Sequence, residues 1–174
     1  GAIGAAAAFA MAQAFRESAT LAPNSSQQKE FCINARYEIE ATRPTARNLF
    51  YATERVFNAG KLSIAEALQE AQLLAEENIA DDRKIGEFGN SLIKNGSRIL
   101  THCNAGWLGF VDYGSALAPM YIAKEQGKDF FVYADETRPR NQGARLNAWE
   151  LNNAGINHKI LPDNAGAHIM SKGL

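Results

Sequence analysis

The stretch Asp129-Phe130-Phe131-Val132-Tyr133-Ala134 decides the fold of this chain. It is a near-continuous apolar run of strand length, which is typical of a parallel strand buried on both faces. Shorter strand patterns lie at residues 98–102 and 158–161, and a helical pattern follows each of the three strands. Strands that alternate with helices indicate a parallel sheet with right-handed crossover connections.

Residues 1–94 carry helical patterns instead. Pro44 is predicted to lie in the first turn of a helix that Gly60 ends, and Ser63 with Glu66 forms a capping box for the next helix. The predicted fold class is therefore α/β. It consists of a helical domain over residues 1–94, followed over residues 95–174 by an incomplete (truncated) parallel sheet with helices on both faces.

Further helices are predicted at about 2–18, 106–126, 142–154 and 164–170. Ile85, Phe88 and Leu92 continue a helical stripe that Asn95 and Gly96 end.

Composition narrows the class of protein. The 174 residues carry a net charge of −1, with 46% hydrophobic and 21% charged residues. These are ordinary values for a globular domain. A net charge near zero provides no positive electrostatic field that would attract nucleic acid or an anionic membrane. Two distant cysteines form neither a disulfide framework nor a zinc motif, which fits a reducing compartment. We therefore expect a cytoplasmic protein that binds no nucleic acid and no membrane.

Both ends of the sequence look cut from something longer. Gly1 takes the place of an initiator methionine, and residues 171–174 resemble a helix C-terminus with its capping glycine. Three strands also make a thin sheet. We expect a fragment that lacks both ends and that self-associates through an exposed sheet edge and an apolar helix face.

Polar clusters follow all three predicted strands, at residues 102–106, 135–139 and 162–164. In open parallel sheets, ligands bind outside the carboxyl ends of the strands. Each cluster also precedes a predicted helix, whose free N–H groups favour an anion. The sequence therefore predicts that reactive and binding residues converge on this edge.

Cys103 is the candidate reactive residue of these clusters. A thiol at a strand end that faces a helix N-terminus is expected to have a lowered pKa, and can move a proton or attack a carbonyl. The alternative is a structural cysteine that behaves as a small hydrophobe. Position alone leaves both open. Cys32 lies in a helical stripe and is predicted to be a core residue.

Arginines near the second strand end are candidate anion ligands. Arg138, together with Arg140 and Arg145, can clamp a phosphate bidentately, although surface pairing with Glu136 is the commoner fate of such residues. His102 is predicted to point away from Cys103, as neighbours on a strand do, and to be a core histidine.

Metal and dinucleotide chemistry are not indicated. No His, Cys and carboxylate pattern has metal-ligand spacing, and no G-x-G-x-x-G follows the first strand. We expect neither a metal nor a cofactor.

Several motifs carry a family resemblance. They are Thr42-Arg-Pro-Thr-Ala46, Thr101-His-Cys-Asn-Ala-Gly106, Asp135-Glu-Thr-Arg-Pro139 and Gln142-Gly-Ala-Arg-Leu146. Together they closely resemble the methylthioribose-1-phosphate isomerase family, and the resemblance covers nearly the whole chain. That family shares a superfamily with the regulatory subunits of eukaryotic translation initiation factor two B.

The resemblance implies a fold, an activity and a site. The implied fold is an N-terminal helical domain followed by a Rossmann-like α/β domain, here incomplete. It implies a homodimeric enzyme of methionine salvage that converts methylthioribose 1-phosphate to methylthioribulose 1-phosphate. Cys103 matches the family's catalytic cysteine. Arg43 and Gln142 match substrate-binding residues, and Arg138 lies in a shared motif with a supporting role.

The chain also departs from the family pattern. The family's Gly-Ala-Asp-Arg motif, which carries its second acid/base group, is missing, as are its Arg-Gly-Ala motif and a later Asn-Lys pair. Asp135 and Asp163 occupy other motifs, and neither is assigned the role of the second acid/base group. We therefore expect this chain to be inactive, or nearly so, by itself.

Two alternatives stay open. The substrate can be another sugar phosphate, such as ribose 1,5-bisphosphate or a deoxyribose 1-phosphate. A non-catalytic, initiation-factor-type regulatory subunit is the other interpretation, but that predicts loss of Cys103, Arg43 and Gln142, all of which are present.

Overall fold

The computed structural model describes residues 1–22 and 24–174, and the chain divides into two compact units, Gly1–Asn78 and Ile79–Leu174. The helices are α1 (Ala2–Leu21), α2 (Ser25–Ala41), α3 (Arg47–Gly60), α4 (Ile64–Asn90), α5 (Ala118–Glu125), α6 (Ala148–Asn153) and α7 (Gly166–Ser171). The strands are β1 (Ser97–Thr101), β2 (Phe130–Asp135) and β3 (His158–Leu161). Helix α4 continues across the division between the units.

Small side chains build the core of the first unit. Helix α1 buries alanines and Met11 against Leu49, Ala52 and Val56 of α3. A Cβ at Gly4 would lie 3.2 Å from the main-chain oxygen of Asn48, so the two helices pack closely. Cys32 is 2% exposed in this core, which confirms its predicted place.

The predicted helix ends are partly confirmed. The Oγ atom of Ser63 accepts the N–H of Glu66 at 3.1 Å, and α3 ends at Gly60. The prediction for Pro44 is wrong, because α3 begins only at Arg47. A turn closed by the N–H of Ala46 on the Arg43 oxygen, at 3.0 Å, comes before the helix.

The second unit contains the predicted parallel sheet, with the strand order β1-β2-β3. Thr101 pairs with Ala134, and Ala134 pairs with Ile160, so the carboxyl ends of all three strands lie at one edge. Val132 and Ala134 of the central strand are fully buried. The α/β fold class is therefore confirmed.

The predicted helix over 106–126 is confirmed only over α5 and is wrong before it. A three-residue 3-10 turn, Trp107–Gly109, is followed by irregular chain up to α5. Tyr113 and Gly114 have positive φ angles of 57° and 82°, and Gly114 bridges to Gly106, which no helix accommodates. The predicted helix over 142–154 begins with a π turn, Gly143–Asn147, before α6.

The predicted helical stripe lies only partly on α4, because Leu92 follows the end of the helix, and its side chains are exposed. Ile85, Phe88 and Leu92 are 45%, 77% and 81% exposed, and α4 ends at Asn90, before the predicted stop. Among the described residues, no helix combines the length and apolar character that crossing a bilayer requires.

Asp82 on α4 makes the stability of the chain depend on pH. Its side chain is buried, and its Oδ2 atom has no hydrogen-bond partner. Burial raises its pKa to about 6, and the nearby Asp81 and Asp112 carboxylates add to this effect. The folded chain therefore holds this proton more tightly than the unfolded chain, so stability falls as the pH rises from about 4 to above 6.

Asp82→Asn is expected to remove this loss, which is on the order of 2 kcal/mol between pH 4 and pH 8. Urea unfolding of both proteins across this pH range measures it, with the exposed Asp81→Asn as the matched control. Parallel curves for the wild type and Asp82→Asn would contradict the assignment.

Candidate active site

The candidate site lies where three loops leave the carboxyl edge of the sheet, and Thr137 joins them. The Cys103 N–H, after β1, donates to Thr137 Oγ1 at 3.0 Å. The Thr137 N–H donates to Asp163 Oδ1, after β3, at 2.7 Å. The convergence predicted from the three strand ends is therefore present.

Cys103 is exposed, and its main chain is held on both sides. Its N–H binds Thr137, and its carbonyl oxygen accepts Nδ2 of Asn147 at 2.5 Å. Its φ angle is +69°, a conformation that costs a non-glycine residue energy and that clusters at functional sites. The expected helix N-terminus after Cys103 is absent from the described chain, because Gly106 is extended and only a 3-10 turn follows.

A buried carboxylate supports the Cys103 loop, which is the segment of residues 102–109 that follows β1. Glu150 is fully buried, and its Oε1 atom accepts Asn104 Nδ2 at 3.2 Å and the Leu108 N–H at 3.3 Å. Its Oε2 atom accepts the Tyr121 hydroxyl at 2.6 Å. Burial, and then this hydrogen bond, raise the pKa of Tyr121, so the phenol remains a donor. Asn104 also donates to Asn147 Oδ1 at 3.0 Å.

Gln142 and Arg138 lie on the loop that follows β2. The Oε1 atom of Gln142 is buried without a hydrogen-bond partner, as are Oδ1 of Asn141 and Oδ1 of Asp135. Buried acceptors in native proteins are normally satisfied, so these three oxygens leave hydrogen-bonding capacity unused at this edge of the sheet. Arg138 has an exposed side chain, and its N–H donates to Asp163 Oδ2 at 2.8 Å.

Three of the four predicted site residues therefore share this edge: Cys103, Arg138 and Gln142. Arg43 lies in the first unit, on the exposed turn between α2 and α3, beside a shallow groove that Ile3 and Leu49 help to line.

His102 is not the core histidine that the sequence predicted. Strand β1 ends at Thr101, so the alternation of strand faces no longer applies to the next residue. The side chain is 58% exposed, with Nδ1 at 2.9 Å from Oδ2 of the buried Asp135 and 4.0 Å from Oδ1 of Asp163.

These three groups also meet the distance condition for a shared metal ion. One ligand atom each from His102, Asp135 and Asp163 lie within 4.8 Å of one another. However, both oxygens of Asp163 accept main-chain N–H groups, and His102 Nδ1 bonds to Asp135. We interpret the cluster as a hydrogen-bonded network rather than as a metal centre.

Comparison with known proteins places the chain in a family. The model of the Initiation factor 2 subunit family matches residues 1–173. The chain belongs to the Initiation factor 2 subunit family. This match, together with the curated relatives and the solved structure described next, confirms the resemblance seen in the sequence motifs.

Two curated relatives carry the name of the isomerase that the sequence motifs resemble. The chain is 45% identical to the methylthioribose-1-phosphate isomerase of Methylorubrum extorquens, over 98% of this chain and 48% of the relative. It is 45% identical to that of Thermotoga neapolitana, over 99% of this chain and 51% of the relative. The chain thus spans about half the length of the curated relatives it matches.

Solved structures of family members resemble the fold of this chain. The 5-methylthioribose 1-phosphate isomerase of Pyrococcus horikoshii OT3 superposes with a TM-score of 0.85 at 35% identity, over 98% of this chain and 49% of that one. A protein described as translation initiation factor eIF-2B, subunit delta, from A. fulgidus gives 0.83 at 43% identity, over 99% and 52%.

Asp163 is a fixed negative charge in this family member. The main-chain N–H of Arg138, then that of Thr137, lower the pKa of its carboxyl, and the charges of His102 and Arg138 add to this effect. Its contribution to stability is therefore present above the unfolded pKa and lost as the pH falls through the folded one. Asp163 thus connects the β3 end to the β2 loop throughout the neutral pH range.

The two thiols of this family member are expected to react very differently. Cys103 is exposed, whereas Cys32 is 2% exposed and burial raises its pKa. Because the thiolate is the nucleophile, iodoacetamide at neutral pH is expected to modify Cys103 and spare Cys32. Peptide mapping by mass spectrometry measures both sites, and equal labelling in urea is the control. Preferential labelling of Cys32 in the folded chain would refute the expectation.

Proposed function

We propose that this chain is part of a cytoplasmic, homodimeric aldose–ketose isomerase that converts methylthioribose 1-phosphate to methylthioribulose 1-phosphate in methionine salvage. One observation carries the proposal. Cys103 stands exposed at the carboxyl edge of a parallel sheet, with its main chain fixed on both sides, in a chain whose curated relatives are named for this activity.

The described residues support defined roles. Cys103 is the proposed catalytic residue. Gln142 binds the sugar, as its place in the shared motif implies, and Arg43 binds the anionic substrate, with Arg138 in support. A phosphate on the anomeric carbon blocks the free aldehyde, so the ring must open before a proton or a hydride passes between C1 and C2. Either route needs two groups with separate roles, and Cys103 is one of them.

A second candidate function has a specific observation in its favour. The 43% identity to a protein described as an initiation factor delta subunit keeps a non-catalytic regulatory subunit as the alternative. An isomerase of another sugar phosphate, such as ribose 1,5-bisphosphate, is the remaining candidate. The presence of Cys103, Gln142 and Arg43 favours an enzyme over a regulatory subunit.

A chimera tests the proposal. This chain replaces the matched half of the Methylorubrum extorquens isomerase, and ketose formation is followed with methylthioribose 1-phosphate, ribose 1,5-bisphosphate and a deoxyribose 1-phosphate. We expect turnover of methylthioribose 1-phosphate by the chimera. No turnover is expected from the 174 residues alone, because their relatives are about twice as long. Turnover of a different substrate, or of none, contradicts the proposed function.

A further inference from the structure

The pair formed by His102 and Asp135 has the geometry of an oriented acid/base group. Asp135 is 5% exposed and its Oδ2 lies 2.9 Å from His102 Nδ1, whereas the imidazole is more than half exposed. A buried carboxylate that holds one ring nitrogen of a histidine fixes its tautomer and directs the other nitrogen outward. The arrangement therefore leaves Nε2 of His102 available at the edge that carries Cys103.

The surroundings of the ring suit a group that gains and loses a positive charge. Asp135 and Asp163 face Nδ1 at 2.9 Å and 4.0 Å, and both carboxylates compensate an imidazolium. Among the described residues, the guanidinium of Arg138 acts on Asp163, and the Cys103 thiol follows His102 directly in the chain. The main-chain bonds to Asp163 keep that carboxylate in place when the ring changes charge.

We propose that His102 is the proton-transfer group that opens the sugar ring, with Asp135 as its positioning residue; this rests on the proposed function. The imidazolium gives its Nε2 proton to the ring oxygen as the bond from C1 to that oxygen breaks, and the bond's electron pair stays on the oxygen. When the ketone forms, the C2 hydroxyl releases one proton, which restores the imidazolium. The atoms and electrons balance whether hydrogen then moves from C2 to C1 as a proton or as a hydride.

The first experiment needs no substrate. Long-range nitrogen–proton NMR of this chain at pH 8.5 reports the tautomer of each histidine. His102 is expected to carry its proton on Nδ1, and Asp135→Asn is expected to abolish that preference. His158, whose Nδ1 lies 2.9 Å from the Ile156 oxygen, is expected to keep its tautomer in both proteins and serves as the internal control. An Nε2-protonated His102 in the wild type overturns the proposal.

The second experiment separates proton transfer from structural support. In the chimera, His102→Asn keeps a donor near the Nδ1 position but has no acid to replace Nε2. We expect kcat to fall by at least about 100-fold. KM is expected to change by less than about threefold, and the limb of the pH profile that falls toward high pH is expected to disappear.

The outcomes distinguish the two proposals. Unchanged kcat in His102→Asn overturns the proton-transfer role while leaving the isomerase standing. A wild-type chimera that turns over none of the three substrates overturns the proposed function and this role together. In that case the tautomer measurement still decides the arrangement of His102 and Asp135.

Discussion

Gly143→Ala is expected to unfold the second unit, with a loss of more than about 3 kcal/mol. A Cβ at this position would overlap the main-chain oxygen of Asp135 and lie 2.7 Å from Thr137 Oγ1. The end of a buried central strand cannot move aside as the tip of a flexible side chain can. The π turn after β2 therefore depends on glycine at its first position.

Urea unfolding of Gly143→Ala against Gly127→Ala tests this expectation. Gly127 has a φ angle of +73°, and no atom lies within 4 Å of the position that a Cβ would take there. Alanine at Gly127 is therefore expected to cost only about 1–2 kcal/mol of backbone strain. A Gly143→Ala protein as stable as the wild type would contradict the close packing of this turn against the end of β2.

Glu150→Leu is expected to destabilise the second unit by about 3–5 kcal/mol. The substitution leaves Asn104 Nδ2, the Leu108 N–H and the Tyr121 hydroxyl without their buried acceptor. Because these donors anchor the Cys103 loop, the variant is also expected to alter the rate at which iodoacetamide modifies Cys103.

Tyr121→Phe is the matched control for Glu150→Leu. It keeps the two bonds to Oε1 but leaves the buried Oε2 without its donor, so a loss of about 1–3 kcal/mol, smaller than that from Glu150→Leu, is expected. Thermal unfolding and the alkylation rate are measured on both variants. Equal losses from the two substitutions, or no change at Cys103 in Glu150→Leu, would contradict a supporting role for the carboxylate.

Hydrophobic patterns in the sequence predicted the strands and their parallel arrangement. Strand β3 was predicted at residues 158–161 and lies there, and the parallel order brings the three polar strand ends to one edge as expected. Where the backbone leaves regular geometry, the patterns failed. The predicted helix over 106–126 is interrupted by positive φ angles at Tyr113 and Gly114 that hydrophobic spacing does not encode.

The support of the candidate site could not be predicted because its partners are distant in the sequence. The bonds from Cys103 to Thr137 and Asn147, and from Asn104 to Glu150, span 34 to 46 residues. In the sequence, Asn147 and Glu150 are simply two polar residues three positions apart in a predicted helix, which is a common pattern on helix surfaces. His102 was assigned to the core because the strand was predicted one residue too long.

Turnover of methylthioribose 1-phosphate by Cys103→Ala and Cys32→Ala versions of the chimera tests the assignment of the active site most directly. Cys103→Ala is expected to lower kcat by at least about 100-fold, because it removes one of the two proton-transfer or nucleophilic groups that the reaction needs. Cys32→Ala, a change in the core of the first unit, is expected to retain most of the turnover. Full activity in Cys103→Ala would contradict the assignment and move the chemistry away from this edge of the sheet.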